Sequence, residues 1–93
     1  MDNDAIILQR RKKRLLKAVG KVVKTKRLEL NKGINKFSFE YDIGNGLLCR
    51  LERGDTDTQI STLWKIANAF GLDFSELASL IENELPSEFN FYD

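Results

Sequence analysis

The stretch that decides the fold is FSFEYDIGNGLLCRLERG, residues 37–54. Its middle, DIGNG at positions 42–46, is rich in residues that tolerate unusual backbone angles and therefore predicts a turn. Gly54 is a typical residue to follow the end of a helix. The stretch predicts a short helix over Ile34–Tyr41, in which Phe37 and Tyr41 bury together, and a second helix from Asn45 to Arg53.

Helical periodicity continues on both sides of this stretch. Upstream, the pattern predicts a long first helix with one apolar face and one basic face. The apolar positions are Leu15, Val19, Val22, Val23 and Leu30, and the basic positions are Lys17, Lys21, Lys24 and Arg27. Lys26 falls on the apolar face, where its stem can lie along the core while its ammonium reaches water.

Two further helices are predicted downstream. The fourth runs from Ser61 to Phe70, with Ser61 or Thr62 as its capping residue. The fifth opens at Asp73 or Phe74, and Pro86 marks its end. Because no segment has the alternating pattern of a strand, the fold class is predicted to be all-α with five helices.

The 93 residues are enough for one domain. Residues 1–14 are predicted to form a flexible basic arm, residues 15–85 the helical domain, and residues 86–93 an aromatic tail. The arm contains the run Arg10–Arg14, which fits either a nucleic-acid-binding segment or a solvated helix end. The tail carries Phe89, Phe91 and Tyr92, which fit either packing against the domain or an interface.

Charge is distributed unevenly along the chain. Residues 1–36 contain 12 Lys/Arg and 3 Asp/Glu, a net charge of +9, whereas residues 37–93 contain 3 and 11, a net charge of −8. This asymmetry favours a polyanionic partner for the basic third. The alternative is a solvated helix whose bases pair with acids across the fold.

The residue content argues against an enzyme. The chain has no histidine, a single cysteine and no glycine-rich phosphate loop, so we expect no catalytic site, no cofactor and no metal. Cys49 is interpreted as a small tolerated residue, with a redox-sensitive contact as the alternative. No apolar run approaches the roughly 20 residues of a membrane span. A cytoplasmic protein without a membrane partner is therefore expected.

From about Val19 to Leu85, two-thirds of the chain, the sequence resembles the helix-turn-helix family of phage lambda repressor, Cro and the xenobiotic-response-element regulators. The resemblance rests on residues 37–43 and 48–54, on STLWKIANAFG at 61–71 and on FSEL at 74–77. It implies a five-helix lambda-repressor-like domain that binds double-stranded DNA as a homodimer. The helix at about 45–53 would then be the recognition helix in the major groove.

The predicted DNA-binding residues lie at the starts of the second and third helices and along the third. They are Asn35, Lys36, Gly44, Asn45, Gly46, Leu47, Arg50 and Arg53. Asn45 suits an adenine edge, with a turn or capping role as the alternative. Arg50 suits a guanine or a phosphate, unless Glu52, Glu40 or Asp57 holds it in an ion pair. Arg53 suits a phosphate, or the dipole at the end of its helix.

Other features favour a different function. The two glycines beside Asn45 offer no side chain for reading bases, and Asp42, Asp55 and Asp57 would repel phosphates. The alternative function is therefore a protein-interaction module, such as the antitoxin of a toxin–antitoxin pair.

Overall fold

The computed structural model describes residues 2–92, in which helices are the only regular secondary structure. In chain order they are α1 (Asp2–Glu29), α2 (Ile34–Tyr41), α3 (Asn45–Arg53), α4 (Ile60–Ala69) and α5 (Phe74–Asn83). The predicted all-α class with five helices is confirmed, and α2 and α3 have the predicted bounds. None of the described helices has the length and apolar composition needed to span a bilayer.

The start of α1 differs from the prediction of a flexible arm over residues 1–14. Helix α1 already begins at Asp2, and Met1 lies outside the described residues. Ala, Leu, Gln, Arg and Lys dominate this segment and are strong helix formers, so the helix extends beyond the apolar stripe. The C-terminal tail supports it, because Arg11 Nη1 donates a hydrogen bond to the carbonyl oxygen of Phe91 at 2.6 Å.

The tail packs against this first part of α1. Phe91 lies in a groove with Ile7 and Leu8, and its ring meets that of Phe89 edge to face, with 5.7 Å between centroids. Tyr92 remains 76% exposed. Packing against the domain is therefore shown for Phe91, an interface at Tyr92 stays a prediction, and Asp93 lies outside the described residues.

The start of α4 also differs from the prediction, by one residue. Gln59 precedes the helix, and its carbonyl oxygen accepts hydrogen bonds from the N–H groups of Thr62 and Leu63, both at 3.1 Å. Because the backbone closes this first turn, α4 begins at Ile60. Neither Ser61 nor Thr62 is its capping residue.

The core lies where α1, α2, α3 and α4 meet. Its fully buried side chains include Val23, Phe37, Leu48 and Ile66. A smaller cluster, formed by Val22, Ala67 and Leu77, joins α1, α4 and α5. The predicted contact of Phe37 with Tyr41 is confirmed, with ring centroids 4.8 Å apart.

Two apolar residues occupy unexpected positions. Ile43, predicted only as part of a turn, is 5% exposed and belongs to the core because the turn folds inward between α2 and α3. Leu30, predicted to lie on the apolar face of α1, is 39% exposed. Helix α1 ends at Glu29, and Asn31 then adopts a left-handed conformation with φ of 56°, which turns the chain away from the core.

Helices α1 and α3 approach closely at Gly20. A Cβ atom at this position would lie 2.5 Å from the carbonyl oxygens of both Leu51 and Glu52. The two backbones can therefore pack together only because residue 20 has no side chain. This contact fixes the position of α3 against the longest helix.

Candidate functional site

The connection between α2 and α3 is a three-residue turn, residues 42–44. Asp42 ends α2 in a left-handed conformation with φ of 53°, and the N–H group of Ile43 donates to the carbonyl oxygen of Ser38 at 3.0 Å. Lys65 on α4 braces the turn, because its Nζ donates to the carbonyl oxygen of Asp42 at 2.8 Å. The start of α3 is therefore held on a short, hydrogen-bonded connection.

Helix α3 has one buried face and one solvent face. Leu48 and Leu51 are buried, and they anchor the helix to the core. The predicted contact residues Asn45, Gly46 and Arg50 are exposed. Leu47 and Cys49 are half-buried, so the structure places less of the Leu47 side chain at the surface than the sequence suggested. Gly44 precedes the helix and is exposed.

A side-chain hydrogen bond joins the starts of α2 and α3. Asn45 Nδ2 donates to Asn35 Oδ1, and both residues are exposed. Asn45 Oδ1 accepts a weak hydrogen bond from Cys49 Sγ at 3.8 Å. The structure thus brings two predicted contact residues together into one polar surface.

Arg50 lies over the first turn of α3. Its Nη1 is so near Gly46 that a Cβ atom there would be 3.2 Å away. The acids considered as its ion-pair partners were Glu52, Glu40 and Asp57, and each of them pairs with another base instead. Within residues 2–92, Arg50 forms no ion pair and its guanidinium faces solvent.

The aspartates near α3 are largely paired. Arg53 Nε lies 3.0 Å from Asp55 Oδ2, and Lys12 Nζ lies 3.5 Å from Asp57 Oδ2. Both pairs are more than half exposed, so each base remains accessible to another anion. Asp42 remains as an exposed carboxylate, and the repulsion predicted for three acids therefore falls mainly on one.

A buried ion pair fixes the far end of α3, and the sequence analysis missed it. Arg27 was predicted to face solvent, but it is 5% exposed. Its Nε and Nη2 donate to the two carboxylate oxygens of Glu52 at 2.7 and 2.8 Å, and its Nη1 donates to the carbonyl oxygen of Lys32 at 2.8 Å. The hydrogen bonds that Arg27 donates to Glu52 raise the pKa of Arg27, so the guanidinium stays charged.

Helical spacing was the signal that could have found Arg27. It follows Val19 and Val23 at four-residue intervals, and these two residues are buried. Residues four apart lie on one helix face, so position 27 belonged to the core face. Its identity as a base concealed this, because a buried arginine needs a partner that the local sequence does not reveal.

A smaller network of charges runs along α2. Lys32 Nζ donates to Glu40 Oε2 and to the Tyr41 hydroxyl, and Lys36 lies 4.0 Å from Glu40. The hydrogen bond with Glu40 raises the pKa of Lys32, and the same bond lowers the pKa of Glu40. Lys36 keeps 64% of its side chain exposed and stays available to an external anion.

This surface can exchange hydrogen bonds and bind anions. It presents amide groups at Asn35 and Asn45, and guanidinium or ammonium groups at Arg50, Arg53 and Lys36. Within residues 2–92, no group of three or more metal-ligating side chains is placed to hold an ion. Comparison of the chain with protein-family models, with curated proteins and with solved structures gives no match.

Proposed function

We propose that this protein is a sequence-specific DNA-binding transcriptional regulator that inserts α3 into the major groove. One observation carries the proposal: two short helices are joined by a braced three-residue turn, and the polar face of the second is open to solvent. In this reading α2 and α3 form a helix-turn-helix, in which the second helix reads bases and the first crosses the backbone.

Base reading falls to Asn45 and Arg50. An asparagine amide can donate and accept against an adenine edge, and an arginine can bind the O6 and N7 atoms of guanine. Gly46 supports this reading, because the space beside it accommodates the Arg50 guanidinium. The residue that lacks a side chain thus gives its neighbour room to turn along the helix surface.

The remaining predicted residues position the domain on the phosphates. Lys36 and Arg53 are more than 60% exposed and lie near the start of α2 and at the end of α3, respectively. Contacts of this kind fix the register of a domain on the duplex without carrying sequence information. Arg53 would exchange its exposed pair with Asp55 for a phosphate, which is a small loss since such surface pairs are weak.

A homodimer completes the proposed regulator. Two copies would present their α3 helices to half-sites about one helical turn apart. Outside α3, exposed apolar side chains support self-association: Trp64 stacks on Phe74 with ring centroids 4.9 Å apart and is still 53% exposed, and Ile60 beside it is 64% exposed.

The test removes the two base-reading side chains together. Each good bidentate contact contributes about 1–3 kcal/mol of discrimination, so Asn45→Ala/Arg50→Ala should weaken binding to the preferred duplex by at least about 30-fold. Binding to a scrambled duplex should fall much less, because the phosphate contacts remain except for any that Arg50 makes. Unchanged affinity for the preferred duplex would contradict α3 as the reading helix.

The second candidate function is a protein-interaction module, such as an antitoxin. The exposed aromatic side chains favour it, above all Phe39, which is 89% exposed on α2. Copurification with the product of a neighbouring gene, lost on Phe39→Ser, would support this function. Tight sequence-specific DNA binding without any such partner would exclude it as the main function.

A further inference from the structure

One face of α1 carries a long row of basic side chains. The row, called here the α1 basic face, consists of Arg10, Lys13, Arg14, Lys17, Lys21 and Lys24. Their spacing of three or four residues places them on one side of the helix, and all six are exposed. The opposite side of α1 holds the buried Val19 and Val23, so the basic face points away from the core.

Most of this charge is not neutralised within the fold. Lys21 pairs with Glu84 at 3.0 Å, and 69% of the lysine side chain remains exposed. Lys17 donates to a carbonyl oxygen, which leaves its charge uncompensated. Within the described part of the chain, the other four form no ion pair.

The middle of the basic face lies beside the end of α3. Lys17 Nζ donates to the carbonyl oxygen of Arg53 at 2.9 Å, and Lys12, on another side of α1, reaches Asp57 in the loop after α3. A helix that reads bases with its first turns has its last turn near the rim of the groove, where the phosphates run. The middle of the α1 basic face therefore lies where a bound backbone would pass.

We infer that the α1 basic face binds the phosphate backbone of duplex DNA that flanks the half-site read by α3. This inference rests on the proposed function and extends the contact beyond the bases that α3 touches. It assigns a role to the long N-terminal part of α1, which lies outside the α2–α3 unit.

The dimensions of the face and the duplex agree. Residues 10–24 of a helix span about 21 Å at 1.5 Å per residue. A duplex of that length carries about 12 phosphates over about six base pairs. Up to six cations therefore face about twice as many anionic groups, and the side chains are long enough to select the nearest ones.

An anionic membrane fits this face less well. A helix that lies on a bilayer inserts an apolar face beside its basic one. The apolar face of α1 is occupied by the core, where Val23 and its neighbours are buried. A duplex needs no apolar insertion, since counterion release from the phosphates favours binding to charge alone.

The test compares the wild type with Arg10→Gln/Lys13→Gln/Arg14→Gln by fluorescence anisotropy on labelled duplexes at several salt concentrations. Loss of three phosphate contacts should reduce the slope of log K against log salt by up to about 2.7. Raising salt from 50 to 200 mM should then weaken wild-type binding up to about 40-fold more than variant binding. Shortening the duplex on either side of the half-site should weaken DNA binding by the wild type and leave binding by the variant unchanged.

Two control variants isolate the cause. Arg10→Lys/Arg14→Lys keeps the charge and should keep the wild-type slope. Lys26→Gln removes a base from another side of α1, where it pairs with Glu29, and should leave the slope unchanged. Circular dichroism should show the same helix content in all variants, because the substituted side chains lie outside the buried core.

An unchanged slope and unchanged dependence on flank length in the triple variant would overturn the inference. The inference would also be overturned if the triple variant lost binding to vesicles containing phosphatidylserine while its DNA binding stayed the same as that of the wild type. The proposed function fails differently, through an absence of sequence preference. The slope is measurable on a duplex of arbitrary sequence of about 30 base pairs, so the two failures are distinguishable.

Discussion

Substitution of Gly20 by alanine tests the packing that positions α3. Alanine has the higher helix propensity, by about 1 kcal/mol, so the change should stabilise α1 if nothing else opposed it. The new Cβ, however, would lie 2.5 Å from two backbone carbonyl oxygens of α3, whereas real Cβ atoms essentially never come closer than 3.0 Å. Each of these Cβ–O distances must lengthen by at least 0.5 Å, so the backbones of the two helices must shift.

The net effect follows from these two terms. Overpacking in a tight interior costs about 1–3 kcal/mol, and the upper part of that range applies because both contacts are backbone atoms. One of them, the Leu51 carbonyl oxygen, also accepts the hydrogen bond of Gly54 N–H. After subtraction of the propensity gain, Gly20→Ala should destabilise the domain by about 1–2 kcal/mol.

Urea denaturation followed by circular dichroism measures this difference, and Gly46→Ala is the matched control. Gly46 also lies within a helix, but a Cβ there meets only the flexible end of one side chain, at 3.2 Å. The control should be more stable than the wild type by up to about 1 kcal/mol. A Gly20→Ala protein as stable as this control would refute the reasoning about the contact between α1 and α3.

Three further predictions concern the charged network and the reading surface. The Glu52 side chain is 6% exposed, so Arg27→Met leaves a buried carboxylate without its partner and should lower the free energy of unfolding by about 3–5 kcal/mol. The double variant Arg27→Met/Glu52→Leu should recover most of this loss. Additive losses of the two substitutions in urea denaturation would contradict this. Gly46→Ala should displace Arg50 from the first turn of α3 and so weaken specific DNA binding in anisotropy titrations. Unchanged affinity would show that Arg50 does not read bases from this position. The hydrogen bond from Lys32 lowers the pKa of Glu40. The stability that the ionised Glu40 carboxylate contributes is therefore present above its ordinary pKa and is lost as pH falls through the pKa in the folded protein. The stability difference between wild type and Glu40→Gln should therefore shrink below about pH 4, and a constant difference would contradict the pairing.

Local signals were enough to predict most of the helices. The bounds of α2 and α3 follow from the turn residues between them and from Gly54, whose φ of 76° needs the freedom of glycine. Periodicity did not reveal that α1 begins at Asp2, because its first turns carry no apolar stripe and are held in part by the tail. Such support from residues 80 positions away is not visible in a local pattern.

The sequence predicted which residues of the candidate site are exposed, but not which of its charged residues pair with each other. Exposure of Arg50 follows from its place away from Leu48 and Leu51 on the helix, and Asn45 is exposed at the first residue of α3. The partners of the acids do not follow, because Glu52 pairs with a base 25 residues away. Only the fold decides which base meets which acid, and among the described residues that choice leaves Arg50 without an ion pair.

Selection from random duplex DNA tests the central claim most directly. The wild type and Asn45→Ala/Arg50→Ala would be compared at low and at moderate salt. The wild type should enrich a motif of two half-sites with centres about one helical turn apart, and the variant should lose this enrichment. If the wild type enriches nothing and binding disappears with salt, or if the variant selects the same motif, α3 is not a reading helix.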